Sequence, residues 1–406
     1  MTIKILIGDS LEILRTLPAE SVHCVVTSPP YWGLRDYGVE GQMGLESTPA
    51  EFISNMVAVF DEVRRVLRSD GTCWVNMGDS YLPGKNMAMM PHRLAIALQD
   101  AGWWVRQDIV WSKPNPMPES VRDRCTKSHE YIFLLTKSAQ YFYDAEAIRE
   151  PVTESTIARL SQDVENQAGS DRVPGKTNGT MKAVARGVGF GHGTDANERG
   201  RGRVTARDTF KRENSNRAEV FPGQTLGTHR PDREDTVPDG FRSKRSVWTM
   251  ATHSFKEAHF ATFPPELPET CIKAGTSERG HCPVCGGRWL RQIERKFAPQ
   301  DDVSIGKGKR GSGDQKPMDQ SNTWEGFPRG TVTTTTTGWE PGCDCNADPV
   351  PDVVLDPFFG AGTTGLVADR LQRDCIGIEL NQAYAEMARK RIQAESPLLA
   401  QVEVAA

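Results

Sequence analysis

Apolar positions in this chain fall into short runs and helical stripes, and the two alternate. Residues 3–7 (IKILI) form a run that stops at Gly8-Asp9, after which Leu11, Leu14 and Leu17 recur at helical spacing. A second run at 22–26 (VHCVV) stops at Thr27-Ser28-Pro29-Pro30. Phe52, Met56, Phe60, Val63 and Leu67 predict a helix over 50–68, closed by Asp70-Gly71, and residues 72–77 predict a strand ending in Gly78-Asp79. A helix near 91–100 and strands at 104–111 and 131–136 follow. Periodicity fades after residue 150 and returns at 351 with a strand (PDVVLDPF), a glycine turn, a helix over 363–372, a strand over 375–380 and a helix over 382–393. The tail beyond 395 is expected to fray. Strands alternating with helices, each strand closing in a polar or Gly-rich turn, predict an α/β fold with a doubly wound, mainly parallel sheet.

Composition narrows the function classes. The 406 residues suffice for two or three domains. With 49 Lys plus Arg against 53 Asp plus Glu, the net charge of −4 excludes a uniformly basic polymer binder. Locally the balance reverses: residues 172–217 hold 11 Lys/Arg and 4 Asp/Glu in a Gly-rich context suited to phosphate contacts. No run approaches the roughly 18 to 20 apolar residues of a membrane helix, and MTIKILIGDS reads as a strand, not a secretory signal. Nine scattered cysteines do not form a disulfide framework. A soluble, cytoplasmic protein without a membrane partner is the expectation.

The strongest local signal is VVLDPFFGAGTTG, which places Gly360, Gly362 and Gly365 between a strand and a helix, with Glu379 nineteen residues after Gly360. Such glycines let backbone approach a ligand at a helix start, and the distant acid suits ribose hydroxyls. Asp356-Pro357 stands at the strand tip, where a fixed negative charge repels a pyrophosphate. A cationic nucleoside with an amino-acid tail, such as S-adenosylmethionine (SAM), fits better than a dinucleotide; a nicotinamide-dependent oxidoreductase is the weaker reading. A second signal, Thr27-Ser28-Pro29-Pro30-Tyr31-Trp32, also ends a strand. The prolines fix the backbone, so the Ser28 hydroxyl and the Pro29 carbonyl can accept hydrogen bonds from an exocyclic amine while Tyr31 offers a face to a base. Acceptors so placed favour an amine nitrogen that rehybridises and attacks a methyl group. Trp32, Arg35 and Tyr37 are candidates for lining that pocket or filling the space a base leaves.

Cys282-Pro-Val-Cys285-Gly-Gly is a metal-knuckle pattern, and Cys343-Asp-Cys345 follows after 57 intervening residues. Four thiolates would close a tetrahedral structural zinc site, with His281 or Cys271 as substitute ligands. Cys24, Cys73, Cys125 and Cys375 fall in apolar strands or helices and read as core residues.

VVTSPPYW followed much later by LDPFFGAGTTG resembles the amino-methylating DNA methyltransferases of the β class, in which the catalytic tip precedes the cofactor turn. Gly8-Asp9-Ser10-Leu11, the block over 108–138 and HFATFPPEL over 259–267 resemble further segments of that family, in family order. The resemblance implies a Rossmann-like methyltransferase sheet whose catalytic half is 1–150, with Ser28, Pro29, Pro30 and Tyr31 at the base. A target-recognition region spans 151–250, a cofactor-lining segment with Phe263 spans 251–280, and a zinc-ribbon-like insertion spans 281–346. The SAM-binding half is 347–406, where Asp356, Pro357, Phe358, Gly360, Gly362, Thr363, Thr364 and Glu379, together with Asp9, build the cofactor pocket. Ser-Pro-Pro-Tyr implies N4 of a cytosine flipped out of double-stranded DNA; the alternative is N6 of adenine. Rival readings are an RNA or protein-amide substrate, and a non-catalytic zinc- and DNA-binding protein. A homodimer and a separate cognate restriction endonuclease are partners the sequence leaves open.

Overall fold

The computed structural model describes residues 1–153, 240–252, 262–299, 330–395 and 401–405. The chain divides into two compact units, one built from Met1–Glu150, Arg242–Glu294 and Thr336–Ala406, the other from Pro151–Phe241 and Arg295–Thr335. Most of the second unit, and with it most of the expected recognition region, lies outside the described residues.

In the first unit, β1 (Thr2–Ile7), α1 (Ser10–Thr16), β2 (Val22–Thr27), α2 (Pro49–Val66), β3 (Leu67–Met77), α3 (Met90–Asp100), β4 (Trp104–Ser112) and β5 (His129–Thr136) follow the predicted pattern closely. Two-residue strands β6 (Glu150–Pro151) and β7 (Phe241–Arg242) pair with each other. Then come β8 (Val247–Thr249), α4 (Glu266–Gly275), the paired β9 (Trp289–Pro299) and β10 (Gly330–Pro341), β11 (Val353–Asp356), α5 (Thr363–Arg370), β12 (Asp374–Glu379), α6 (Gln382–Glu395) and β13 (Gln401–Ala405).

Among the described residues, nine strands form one sheet in the order β13-β1-β12-β11-β2-β3-β5-β4-β8. All neighbours are parallel except β5, which runs antiparallel to both β3 and β4. Eight strands therefore point one way, and their carboxyl ends share an edge with the start of β5. The two-residue period sends Ile132 and Leu134 to one face and Phe133 and Leu135 to the other. Buried residues of α1, α2 and α3 pack on the second face, and those of α4, α5 and α6 on the first, which is the doubly wound arrangement. Thr48 caps α2, its hydroxyl accepting from the Glu51 amide at 3.2 Å, and Phe52, Met56, Phe60 and Val63 are fully buried.

Four expectations need correction. Cys125, expected in the core, is exposed in the loop between β4 and β5. Asp70-Gly71 does not close a helix: α2 ends at Val66, and Asp70-Gly71 lies inside β3, in a bulge between the pairings Val22↔Leu67 and Cys24↔Thr72. The tail does not simply fray: Gln401–Ala405 adds a parallel strand to β1, whose outer edge otherwise lacks a partner, and Val402 packs on the core. Helix α4 was not anticipated, because its buried stripe of Leu267, Cys271 and Ile272 is short and opens in prolines. No helix among the described residues is long and apolar enough to cross a membrane.

Candidate active site

The shared strand edge opens into a cavity of about 900 Å³, at the large end of the roughly 300–1,000 Å³ common for ligand sites. Its walls come from the ends of β1 (Asp9), β2 (Ser28), β3 (Asn76, Gly78), β4 (Lys113) and β12 (Glu379), and from the start of β5 (Glu130). Ser28 and the turn after β11 are thus neighbours, because β2 pairs directly with β11 through Cys24↔Val354 and Val25↔Leu355.

Of the residues expected at the cofactor, Asp9, Pro357, Phe358, Gly360, Thr363, Glu379 and Phe263 line the cavity. Glu379 is nearly buried, and its carboxylate accepts from the Gly360 amide at 2.7 Å and the Asn381 amide at 2.8 Å. Those bonds orient it and leave lone pairs for a hydroxyl; burial raises its carboxyl above the ordinary value. Asp9 caps α1, accepting from the Glu12 amide at 3.0 Å. Gly362 has φ of 72°, and a Cβ there would come within 2.8 Å of the Ala388 methyl group, so the turn also lets α6 pack closely. Arg391 clamps the turn from behind, donating to the Ala361 carbonyl and the Thr363 hydroxyl.

Three residues assigned to the cofactor pocket are not on its wall: Asp356, Gly362 and Thr364. Asp356 is 1% exposed and fully engaged beneath the cavity. Its oxygens accept from Thr27 Oγ1 and Thr364 Oγ1, each at 2.7 Å, and from the Phe358 amide at 3.1 Å. Burial pushes this carboxyl up to about 6. Asp356 ties the end of β2 to the glycine turn.

Of the residues expected at the target base, Ser28, Pro29, Pro30 and Tyr31 all line the cavity. Sequence reasoning missed the residues behind them. Tyr31 Oη donates to Glu130 Oε2 at 2.9 Å and lies 3.2 Å from Ser28 Oγ. Asn76 Nδ2 reaches Glu130 Oε2 at 2.9 Å, Tyr31 Oη at 3.0 Å and Ser28 Oγ at 3.4 Å. Lys113 pairs with the other Glu130 oxygen and lies over the Trp111 ring. Burial and the Glu130 charge raise the Tyr31 phenol well above its usual range, so it stays protonated and donates. With that proton committed to Glu130, the Ser28 hydroxyl donates to Tyr31 and keeps a lone pair beyond the one that faces Asn76. A Cβ at position 78 would lie 2.7 Å from the Tyr31 ring, so Gly78 is required by the ring's seat. The available signals were HEYIF and NMGDS, polar residues at strand ends, but only the fold puts those ends beside Ser28. Of the other candidates, Arg35 and Tyr37 line the cavity, whereas Trp32 donates to the Glu46 carbonyl at 2.9 Å and packs against the core.

The sulfurs of Cys282, Cys285, Cys343 and Cys345 lie within 4.8 Å of one another. Tetrahedral Zn–S bonds of about 2.3 Å require sulfur separations of about 3.8 Å, so the set fits zinc. The amides of Cys285 and Val284 draw the Cys282 thiol down to about 7, whereas crowding against Cys285 and Cys343 pushes Cys345 up to about 12. A cation relieves such crowding. Neither substitute ligand joins the cluster: His281 bonds Asp352 at 3.0 Å, and Cys271 is buried in α4. Around the knuckle, Asp352 receives Arg288, His281 and the Ser277 amide, and Arg288 also holds Asp70 at 3.0 Å. Burial alone would push the Asp352 carboxyl up, but His281 and Arg288 hold it far below the usual range. The neighbouring His23 is kept neutral by burial, at about 3. Asp352 and His23 stand at the amino ends of β11 and β2. The cysteines therefore dock on the edge opposite the cavity, about 20 Å away along a six-residue strand.

Comparison with known proteins identifies the family. The N6/N4 methyltransferase family model, described as DNA methylase, matches residues 22–282 and 346–390. The type II methyltransferase M.Cfr9I of Citrobacter freundii is 32% identical over 96% of this chain and 87% of its own length. M.XycI of Xanthomonas campestris pv. cyanopsidis is 33% identical with the same coverage. Among solved structures, the PvuII DNA methyltransferase, described as cytosine-N4-specific, aligns at a TM-score of 0.49 and 16% identity over 100% of this chain and 95% of that one. The match spans both the strand tips and the glycine turn, and the chain belongs to the N4/N6 family of SAM-dependent DNA amino-methyltransferases.

Proposed function

We propose that the protein methylates N4 of a cytosine flipped out of double-stranded DNA, within a restriction-modification setting; N6 of adenine is the second reading. The observation that supports it is the Ser28–Tyr31–Glu130–Asn76 cluster beside the Gly360 turn in one cavity. When bound, SAM supplies an electrophilic methyl group on a sulfonium centre. Glu379 and Asp9 receive its nucleoside end, and Phe263, Phe358 and the Gly360 backbone shape the remainder of its seat. Ser28 Oγ and the Pro29 carbonyl accept the two N–H bonds of the target amine. That turns the nitrogen lone pair out of conjugation with the ring and stabilises the positive charge that develops on it. Glu130, neutralised in part by Lys113, fixes the phenol and the amide that orient Ser28. Serine in place of an acid at the tip favours cytosine.

Structural zinc on Cys282, Cys285, Cys343 and Cys345 is part of the same proposal; four sulfurs leave no open position for chemistry. Residues 151–250 supply DNA contacts and site recognition. Single-molecule sequencing of DNA from cells expressing the protein tests the function: N4-methylcytosine at one sequence context supports it, N6-methyladenine selects the second reading, and unmodified DNA refutes both.

A further inference from the structure

We propose that Met117 is the side chain that enters the base stack when the target nucleotide leaves the duplex. The inference rests on the DNA reading above and assigns it a residue. A cavity built at strand ends admits a base only if that base swings out of its helix, and the gap left behind collapses unless something apolar occupies it.

Such a side chain must be exposed before DNA arrives, stand at the mouth of the catalytic cavity, and be held firmly enough to push. Met117 is 85% exposed, more than any other large apolar side chain among the described residues, and it lines the same cavity as Ser28. Single exposed apolar residues are common; this one is set apart by its mounting. Pro116 and Pro118 flank it, fixing their own φ and holding Asn115 and Met117 extended. Asn115 is stapled to Thr252: its Oδ1 accepts from the Thr252 amide at 2.9 Å, its Nδ2 donates to the Thr252 carbonyl at 3.4 Å, and its carbonyl accepts from the Thr252 hydroxyl at 3.4 Å. Methionine is unbranched and polarisable, a shape that slides between bases. Arg122, five residues on in the same loop, is exposed and adds a positive charge suited to a phosphate. The rivals are less suited. Trp32 is tied to Glu46, and Leu34 is 50% exposed in a glycine-interrupted loop.

The test uses the full-length protein and duplexes carrying a fluorescent, pairing-competent analogue at the target position (pyrrolocytosine for cytosine, 2-aminopurine for adenine), after sequencing has fixed the methylation site. The wild type is expected to raise the fluorescence of the probe. Met117→Ala should lose most of that rise and bind matched duplex about ten-fold more weakly, with the deficit shrinking on a mismatched target whose base is already unpaired. Met117→Leu should restore both, and SAM affinity should stay within about two-fold throughout, showing an intact fold. Equal flipping by wild type and Met117→Ala, or loss with Leu34→Ala instead, overturns the assignment. A wild type that binds no duplex overturns the DNA reading beneath it.

Discussion

Ser28 and Asp356 show how differently two polar residues at strand tips behave. Ser28 is half-buried at the cavity and oriented by Tyr31 and Asn76. On the proposed mechanism, Ser28→Ala removes one acceptor for the target amine while leaving the cofactor seat intact. We expect methyl transfer in single turnover to fall by about 10²-fold or more, with SAM affinity by calorimetry within about two-fold. Asp356 is sealed beneath the same edge, its carboxyl at about 6, against about 3.9 in an unfolded chain. The folded state thus holds the proton more tightly, and this contribution is present in full below about pH 4 and lost as pH rises through about 6. Its size is about 3 kcal/mol. Asp356→Asn cannot titrate, so urea midpoints between pH 4.5 and 7 should fall for the wild type relative to the variant; parallel curves would refute the assignment. The sequence placed a carboxylate correctly at this strand tip. It did not say whether that carboxylate faces ligand or protein, because Thr27 and Thr364, which consume it, lie 329 and 8 residues away.

Among the elements, the cysteine knuckle and its flanks act as a brace on the amino ends of the sheet. Arg288 joins Asp352 before β11 to Asp70 in β3, and Arg68 of β3 donates to the Gly286 carbonyl of the knuckle at 3.0 Å. An uncompensated buried charge is costly, so the brace matters for stability and stands far from the chemistry. We expect one zinc per chain by emission spectrometry. Cys343→Ser should lose it and melt several degrees lower, yet keep nearly the wild-type methylation rate per folded molecule below the melting range. Metal-free wild type of unchanged stability would refute the zinc proposal. The knuckle was legible as CPVC, since its ligands are local; the Asp352 brace was not, because single Asp, His and Arg residues carry no pattern.

At the scale of the whole molecule, the proposed catalytic and cofactor residues come from opposite ends of the chain, and the basic segment lies between them in sequence. Removing residues 160–235 should leave SAM affinity within about two-fold while abolishing site-specific DNA binding in salt-dependent mobility-shift assays; loss of SAM binding would place the cofactor seat elsewhere. Sequence alone determined the α/β layering, the helices from α1 to α3, the glycine turn with its acid and the Ser-Pro-Pro-Tyr tip. Each of these is written in local periodicity or in neighbouring residues whose backbone preferences act over a few positions. Tertiary structure alone decided that β2 pairs with β11, that Glu130 and Asn76 stand behind Ser28, that Asp356 faces inward and that the last residues extend the sheet. Those outcomes depend on strand order and on which groups share a buried volume. That is a property of the packed chain, in which residues hundreds of positions apart compete for the same hydrogen bonds.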